Sequence, residues 1–163
     1  LRFNHDRKFI ELENIEKSNA VDAFELSNNL VGLKWVTNKS EIYKVSEIKL
    51  LKDSIAYLRN NASGKLIITD YQFVLSEINH NYYPPNRWFT TDGTSYPLMD
   101  NKHFDFYKKF FKQKIVDYKI DTVFTLGSID QKAFDFIVKK NCVEINKVND
   151  VLFEYKLLNC VKK

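Results

Sequence analysis

Two cysteines, three prolines, four glycines and one methionine are all that 163 residues contain of those types. With so few chain-breaking residues there is little room for linkers, and no internal repeat or low-complexity tract is visible. Compact structure is expected rather than a string of modules. No apolar run approaches the roughly 18 residues that a spanning helix needs, and candidates such as Thr122 to Leu126 are strand-sized. No basic start leads into an apolar stretch, so no signal peptide is visible. The first residue is Leu1 and not methionine, and we expect a piece of a longer protein. Catalytic signatures are missing as well. His5, His80 and His103 are the only histidines, none at i, i+4 from another or in metal-ligand register with a cysteine, and no Gly-x-Ser-x-Gly elbow occurs. The expectation is no metal and no cofactor.

What is present is a good supply of core-forming residues, 44% hydrophobic and 15% aromatic, enough for one proper core and short of two comfortable ones. A single soluble α/β domain over 1–163 is therefore expected. The net charge of +4 comes mostly from scattered lysines instead of one basic stripe, which reads as a solvated surface and not as a nucleic-acid interface.

Along the chain, Lys8 to Glu13 alternates apolar and charged residues and predicts a half-buried strand or an arm. Ala20 to Thr37 is irregular, with Gly32 as a turn. Val45, Ile48, Leu51, Ile55 and Leu58 recur at helical spacing and predict a helix over 41–60. A turn cluster at 60–64 ends it, and 65–69 follow as a short buried strand. Thr69-Asp70-Tyr71-Gln72 fits a capping box, predicting a helix over 70–79. All three prolines fall in the following loop, 80–100. Asp100 or Asn101 can cap the next helix, whose apolar face is Phe104, Tyr107, Phe110, Phe111, Ile115 and Tyr118. A strand at 121–126 leads through Gly127 and Ser128-Ile129-Asp130-Gln131 into a helix reaching about Lys140. Segments 142–147 and 152–158 read as a closing antiparallel pair. The fold expected is a short, mostly parallel sheet with flanking helices, three-layer-like, with a C-terminal antiparallel strand pair.

If the strands ending at Thr69 and Leu126 are parallel neighbours, their C-terminal ends share one edge, where ligands bind in open α/β sheets. Ser128 would there offer an anion contact, or serve only as a cap. The long loop carries Tyr82, Tyr83, Asn86, Arg87, Trp88, Phe89 and Tyr96. An arginine beside a tryptophan, with Asn86 and an acid near, suits a polar ligand with a flat apolar face, such as a sugar. Asp70, Tyr71, Gln72, Asn86, Arg87, Trp88, Tyr96 and Ser128 are thus the candidate ligand-binding residues. The competing reading is structural: Arg87 pairs with Asp70 or Asp92, and Trp88 anchors the loop. Asp70 at a strand end can be a base, a metal ligand or a mere cap. Cys142 and Cys160 fall opposite or nearly opposite on the last two strands; this admits a cross-strand disulfide and equally two unpaired thiols in a reducing compartment.

Taken together, Arg7-Lys8-Phe9-Ile10-Glu11-Leu12-Glu13, Gly32-Leu33-Lys34-Trp35-Val36-Thr37, Ile68-Thr69-Asp70-Tyr71-Gln72-Phe73, Pro85-Asn86-Arg87-Trp88 and Leu157-Leu158-Asn159-Cys160 resemble the C-terminal soluble domain of certain multi-spanning bacterial membrane proteins. Those are similar to the polyprenyl-phosphate-sugar-dependent glycosyltransferases, whose catalytic carboxylates lie in the membrane portion. The resemblance implies a periplasmic or otherwise extracytoplasmic, membrane-tethered accessory domain with no catalytic residue of its own. It implies as partners the transmembrane portion of the same polypeptide and a sugar or polyprenyl-phosphate sugar. It also favours a Cys142–Cys160 disulfide. The alternatives are a stand-alone enzyme on a phosphorylated or sugar substrate, and a protein interaction module.

Overall fold

The computed structural model describes residues 20–36, 44–61, 65–78, 82–87, 89, 100–127, 134–135 and 138–158. The chain divides into two compact units, Leu1–Lys52 and Asp53–Lys163, and the boundary falls inside helix α1 (Lys44–Asn60). The strand expected at Lys8 to Glu13 lies outside the described residues.

In the first unit, β1 (Val21–Asp22) and β2 (Lys34–Trp35) pair antiparallel. Two 3-10 turns, Ala23–Glu25 and Asn28–Leu30, join them, and the Ser27 hydroxyl accepts the Asn29 N–H at the start of the second. Gly32 turns the chain at φ +83°, where a side chain would be strained. The Trp35 indole donates to the buried Glu47 carboxylate at 3.0 Å.

The second unit is built on a mixed four-stranded sheet in the order β3-β4-β6-β5, with β3 at Lys65–Thr69, β4 at Thr122–Leu126, β5 at Val143–Lys147 and β6 at Leu152–Leu157. β3 and β4 run parallel in register, Lys65 beside Thr122 and Thr69 beside Leu126, so the two strands end level. β6 is antiparallel to both β4 and β5. The expectation of a mostly parallel sheet is corrected by this, since one of the three ladders is parallel. The cause is the tight hairpin: a connection as short as 148–151 cannot carry the crossover that parallel neighbours require, and β6 rather than β5 lies next to β4. The expected C-terminal antiparallel pair is present.

The strand register sorts the sheet into two faces. Leu66, Ile68, Val123, Tyr155 and Leu157 join one apolar cluster with Phe104, Tyr107, Phe111 and Ile115 of helix α3 (Phe104–Asp117), and with Phe134, Val138 and Cys142. On the other face Ile67, Phe124 and Glu154 are register neighbours, and the Tyr57 and Tyr82 rings meet Phe124 edge-on at 6.3 and 6.0 Å.

The helices follow their apolar spacing with three differences. In α1 the side chains of Ile48, Leu51, Ile55 and Leu58 are buried, while that of Val45 lies outside the described residues. α3 buries Phe104, Tyr107, Phe111 and Ile115, but Phe110 and Tyr118 of the expected face are exposed. Phe110 stands one residue off the buried row of Phe104, Tyr107, Phe111 and Ile115, and Tyr118 lies past the last helical residue, at the C-cap. α3 ends in a Schellman motif: Ile120 N–H bonds the Ile115 carbonyl and Lys119 N–H the Val116 carbonyl, with Lys119 at φ +51°. The helix expected over 70–79 shrinks to α2 (Val74–Glu77), with Phe73 at its N-cap position and no side-chain cap. Thr69 is still a ladder residue, and its hydroxyl accepts the Tyr71 N–H at 2.9 Å, forming a turn in place of the capping box. After β4, Phe134 and Asp135 are helical, Val138 and Lys139 are not, and Lys140–Cys142 is a separate 3-10 turn, so the expected extension to Lys140 is not observed. No helix among the described residues is long and apolar enough to cross a membrane.

Candidate functional site

The level ends of β3 and β4 place two turns side by side. Beyond Thr69 the chain passes through Asp70 and Tyr71. Beyond Leu126 it turns at Gly127, whose φ of +99° already disfavours a side chain. A Cβ added at Gly127 would stand 3.3 Å from Asp70 Oδ2 and 3.3 Å from Tyr71 Cε2. The glycine therefore serves both the turn and the close approach of a carboxylate and a ring. The Gly127 N–H is taken by the Val151 carbonyl at 2.9 Å, which fixes this turn to the β5–β6 connection.

Asp70 is exposed, Tyr71 is 8% exposed, and Gln72 is exposed in the turn that precedes α2. Tyr71 is thus a wall of the rim, set edge-on against Phe73 at 6.5 Å. α2 is a single turn of helix, too short to gather a dipole that would favour an anion after β3.

The loop that follows α2 is tied to the sheet by its backbone. The Tyr82 hydroxyl lies 2.8 and 2.9 Å from the Leu58 and Asn61 carbonyls at the end of α1, and burial pushes its pKa up to about 12. Arg59 clips the same corner by donating from Nε to the Glu77 carbonyl at 2.6 Å and from its terminal nitrogen to the Glu77 carboxylate at 3.4 Å. Tyr83 then bridges Leu66 in parallel, with Tyr83 N–H to the Lys65 carbonyl at 2.9 Å and Ile67 N–H to the Tyr83 carbonyl at 3.0 Å. The buried Tyr107 hydroxyl donates to the Pro85 carbonyl at 3.4 Å, and Thr69 N–H donates to the Phe89 carbonyl at 2.6 Å. From Tyr83 to Phe89 the chain therefore runs along the outer edge of β3 and arrives at its C-terminal end.

Asn86, half-buried, and Arg87, exposed, lie between those two attachments. The structure thus places Asp70, Tyr71 and the Gly127 turn together, and carries Asn86 and Arg87 along the adjoining edge. Trp88, Tyr96 and Ser128 lie outside the described residues. The edge pairing of the loop was not foreseen. Its signal is Tyr83 before Pro84-Pro85: an aromatic suited to a strand, then two residues without N–H that only an edge position tolerates.

Cys142 is 4% exposed, belongs to the apolar cluster and is disulfide-bonded. Its carbonyl accepts the Leu158 N–H at 2.9 Å, which continues the β5–β6 ladder toward the chain end. The only other cysteine of the sequence is Cys160, which lies outside the described residues. Among the described residues no group of three or more His, Cys, Asp or Glu side chains is placed to hold a metal ion.

Comparison of the chain with family models, with curated proteins and with solved structures returned no match.

Proposed function

We propose that the second unit is a binding domain without catalysis of its own, taking a sugar or sugar phosphate at the C-terminal rim of β3 and β4. The single observation that carries this reading is the approach of Asp70 and Tyr71 to the Gly127 turn, with the Arg87-bearing segment led along β3 to the same end. A carboxylate at the rim and a guanidinium on the segment that leads to it would offer an acceptor for ring hydroxyls and a donor fork for hydroxyls or an anion. The architecture assumed is three-layered, α3 covering one face of the sheet and the second half of α1 the other; the Tyr57–Phe124 contact supports the latter. An extracytoplasmic, membrane-tethered setting belongs to the same proposal, and the disulfide at Cys142 supports an oxidising compartment.

The test is titration of the chain with glucose, glucose 1-phosphate and inorganic phosphate, followed by NMR shifts or calorimetry, for wild type, Asp70→Asn and Arg87→Ala. Loss of one charged hydrogen bond is expected to weaken the binding of at least one probe by about tenfold in each variant, with the melting temperature unchanged. A lower melting temperature for Arg87→Ala with unaltered binding would assign Arg87 to holding the loop and overturn the site.

A further inference from the structure

We infer that the outer face of α3 is a docking surface for an anionic lipid bilayer, on which the helix rests in the plane of the headgroups. Of the nine large hydrophobic residues exposed among those described, four belong to α3 and its C-cap: Phe106, Phe110, Val116 and Tyr118. Phe106 and Phe110, one turn apart, are 74% and 43% exposed, a cost in water that the core does not demand, because Phe104, Tyr107, Phe111 and Ile115 already fill it.

The charges around these rings name the occupant. α3 carries Lys108, Lys109, Lys112 and Lys114 against Asp105 and Asp117, a surplus of two positive charges, and Asp117 is engaged by the Gln113 amide at 2.7 Å. Lys109 and, just before the helix, Lys102 are exposed. Lys114 Nζ lies 5.8 Å from the ring centres of both Phe110 and Tyr118, so the ammonium already lies along aromatic surface. Aromatic rings among lysines whose stems reach past them match a bilayer interface: rings enter the acyl boundary while ammonium groups meet lipid phosphates. A second copy docked by the same face would set one lysine-rich surface against another. The 14-residue helix is too short to cross the bilayer, so the contact is superficial.

This surface does not depend on the rim, and its test leaves the rim residues unchanged. The full 163-residue chain is sedimented with vesicles of phosphatidylcholine alone and of phosphatidylcholine mixed with phosphatidylglycerol. Wild type, Phe106→Ser/Phe110→Ser and Lys109→Glu are compared, with circular dichroism as the folding control. Wild type is expected to bind the anionic vesicles, to bind neutral ones about tenfold more weakly, and to be released by salt. The double variant, altered only at exposed rings, is expected to keep its fold and to lose about tenfold in binding, and Lys109→Glu to lose a smaller factor. Absence of wild-type binding, equal binding to both vesicle types, or full binding by the double variant would overturn the proposal. So would concentration-dependent dimerisation in ultracentrifugation that the double variant abolishes, which would assign the face to a second copy.

Discussion

On the α3 side of the sheet, Leu66, Ile68, Val123, Tyr155 and Leu157 meet aromatic and aliphatic side chains in one apolar cluster. On the α1 side a carboxylate lies under cover: Glu154 is 3% exposed, and its Oε2 accepts the Tyr57 hydroxyl and the Asn146 amide, each at 3.0 Å. Ser54, fully buried, accepts from Asn149 at 2.9 Å, and Asn149 Oδ1 in turn accepts the Val151 and Leu152 N–H groups. The α3 side instead contains Thr125, whose buried hydroxyl has no hydrogen-bond partner among the described residues. One face is thus held by area and tolerates an unmet polar atom. The other is held by aimed bonds, whose benefit depends on geometry.

The sharpest way to break that comparison is to remove area. Phe111→Ala, at a fully buried ring, is expected to cost about 3–5 kcal/mol in chemical denaturation. A cost near that of a lost hydrogen bond would mean that the seam does not dominate. Next is the aimed-bond side. Tyr82→Phe removes the hydroxyl that meets the Leu58 and Asn61 carbonyls and is expected to cost about 1 kcal/mol at neutral pH. Burial raises the Tyr82 pKa from 10.0 to about 12, so the folded chain keeps a proton that the unfolded chain releases. Stability is therefore complete below pH 10 and falls as pH rises toward 12. The alkaline slope is expected to flatten in Tyr82→Phe without vanishing, because Tyr57 is also raised, by burial and by the adjacent Glu154 carboxylate. An unchanged slope would remove Tyr82 from the account. Smallest is Thr125→Val, which exchanges the partnerless hydroxyl for a methyl of similar shape and is expected to stabilise by up to about 1 kcal/mol. Destabilisation would show that the hydroxyl has work to do in the folded chain.

Helical periodicity reached α1 and α3, and short apolar runs bounded by turn formers reached β3, β4 and the closing hairpin. Sequence pattern failed at Thr69, where the Ser/Thr-x-x-Gln pattern is genuine but the strand continues through the residue that would cap, held by the distant Phe89 carbonyl. It also overcounted the α3 seam, since spacing reports which residues could be buried and not how wide the surface beneath is. For the site, the strand-end rule brought Asp70 and the Gly127 turn to one edge. The 3.3 Å approach that excludes a side chain at 127 is a contact between residues 57 positions apart and leaves no local mark. Burial of Tyr71 was equally invisible, as its alternation continues neither a strand nor a helix.

The path from Tyr83 to Phe89 is secured through peptide groups: a bridge to Leu66 at one end and the Thr69 amide at the other. Peptide groups are the same whatever residue bears them, so these two attachments do not themselves depend on which side chains stand at positions 86 and 87. The course of this edge segment is thus written in main-chain bonds at its two ends, and sequence drift between them leaves those donors and acceptors in place.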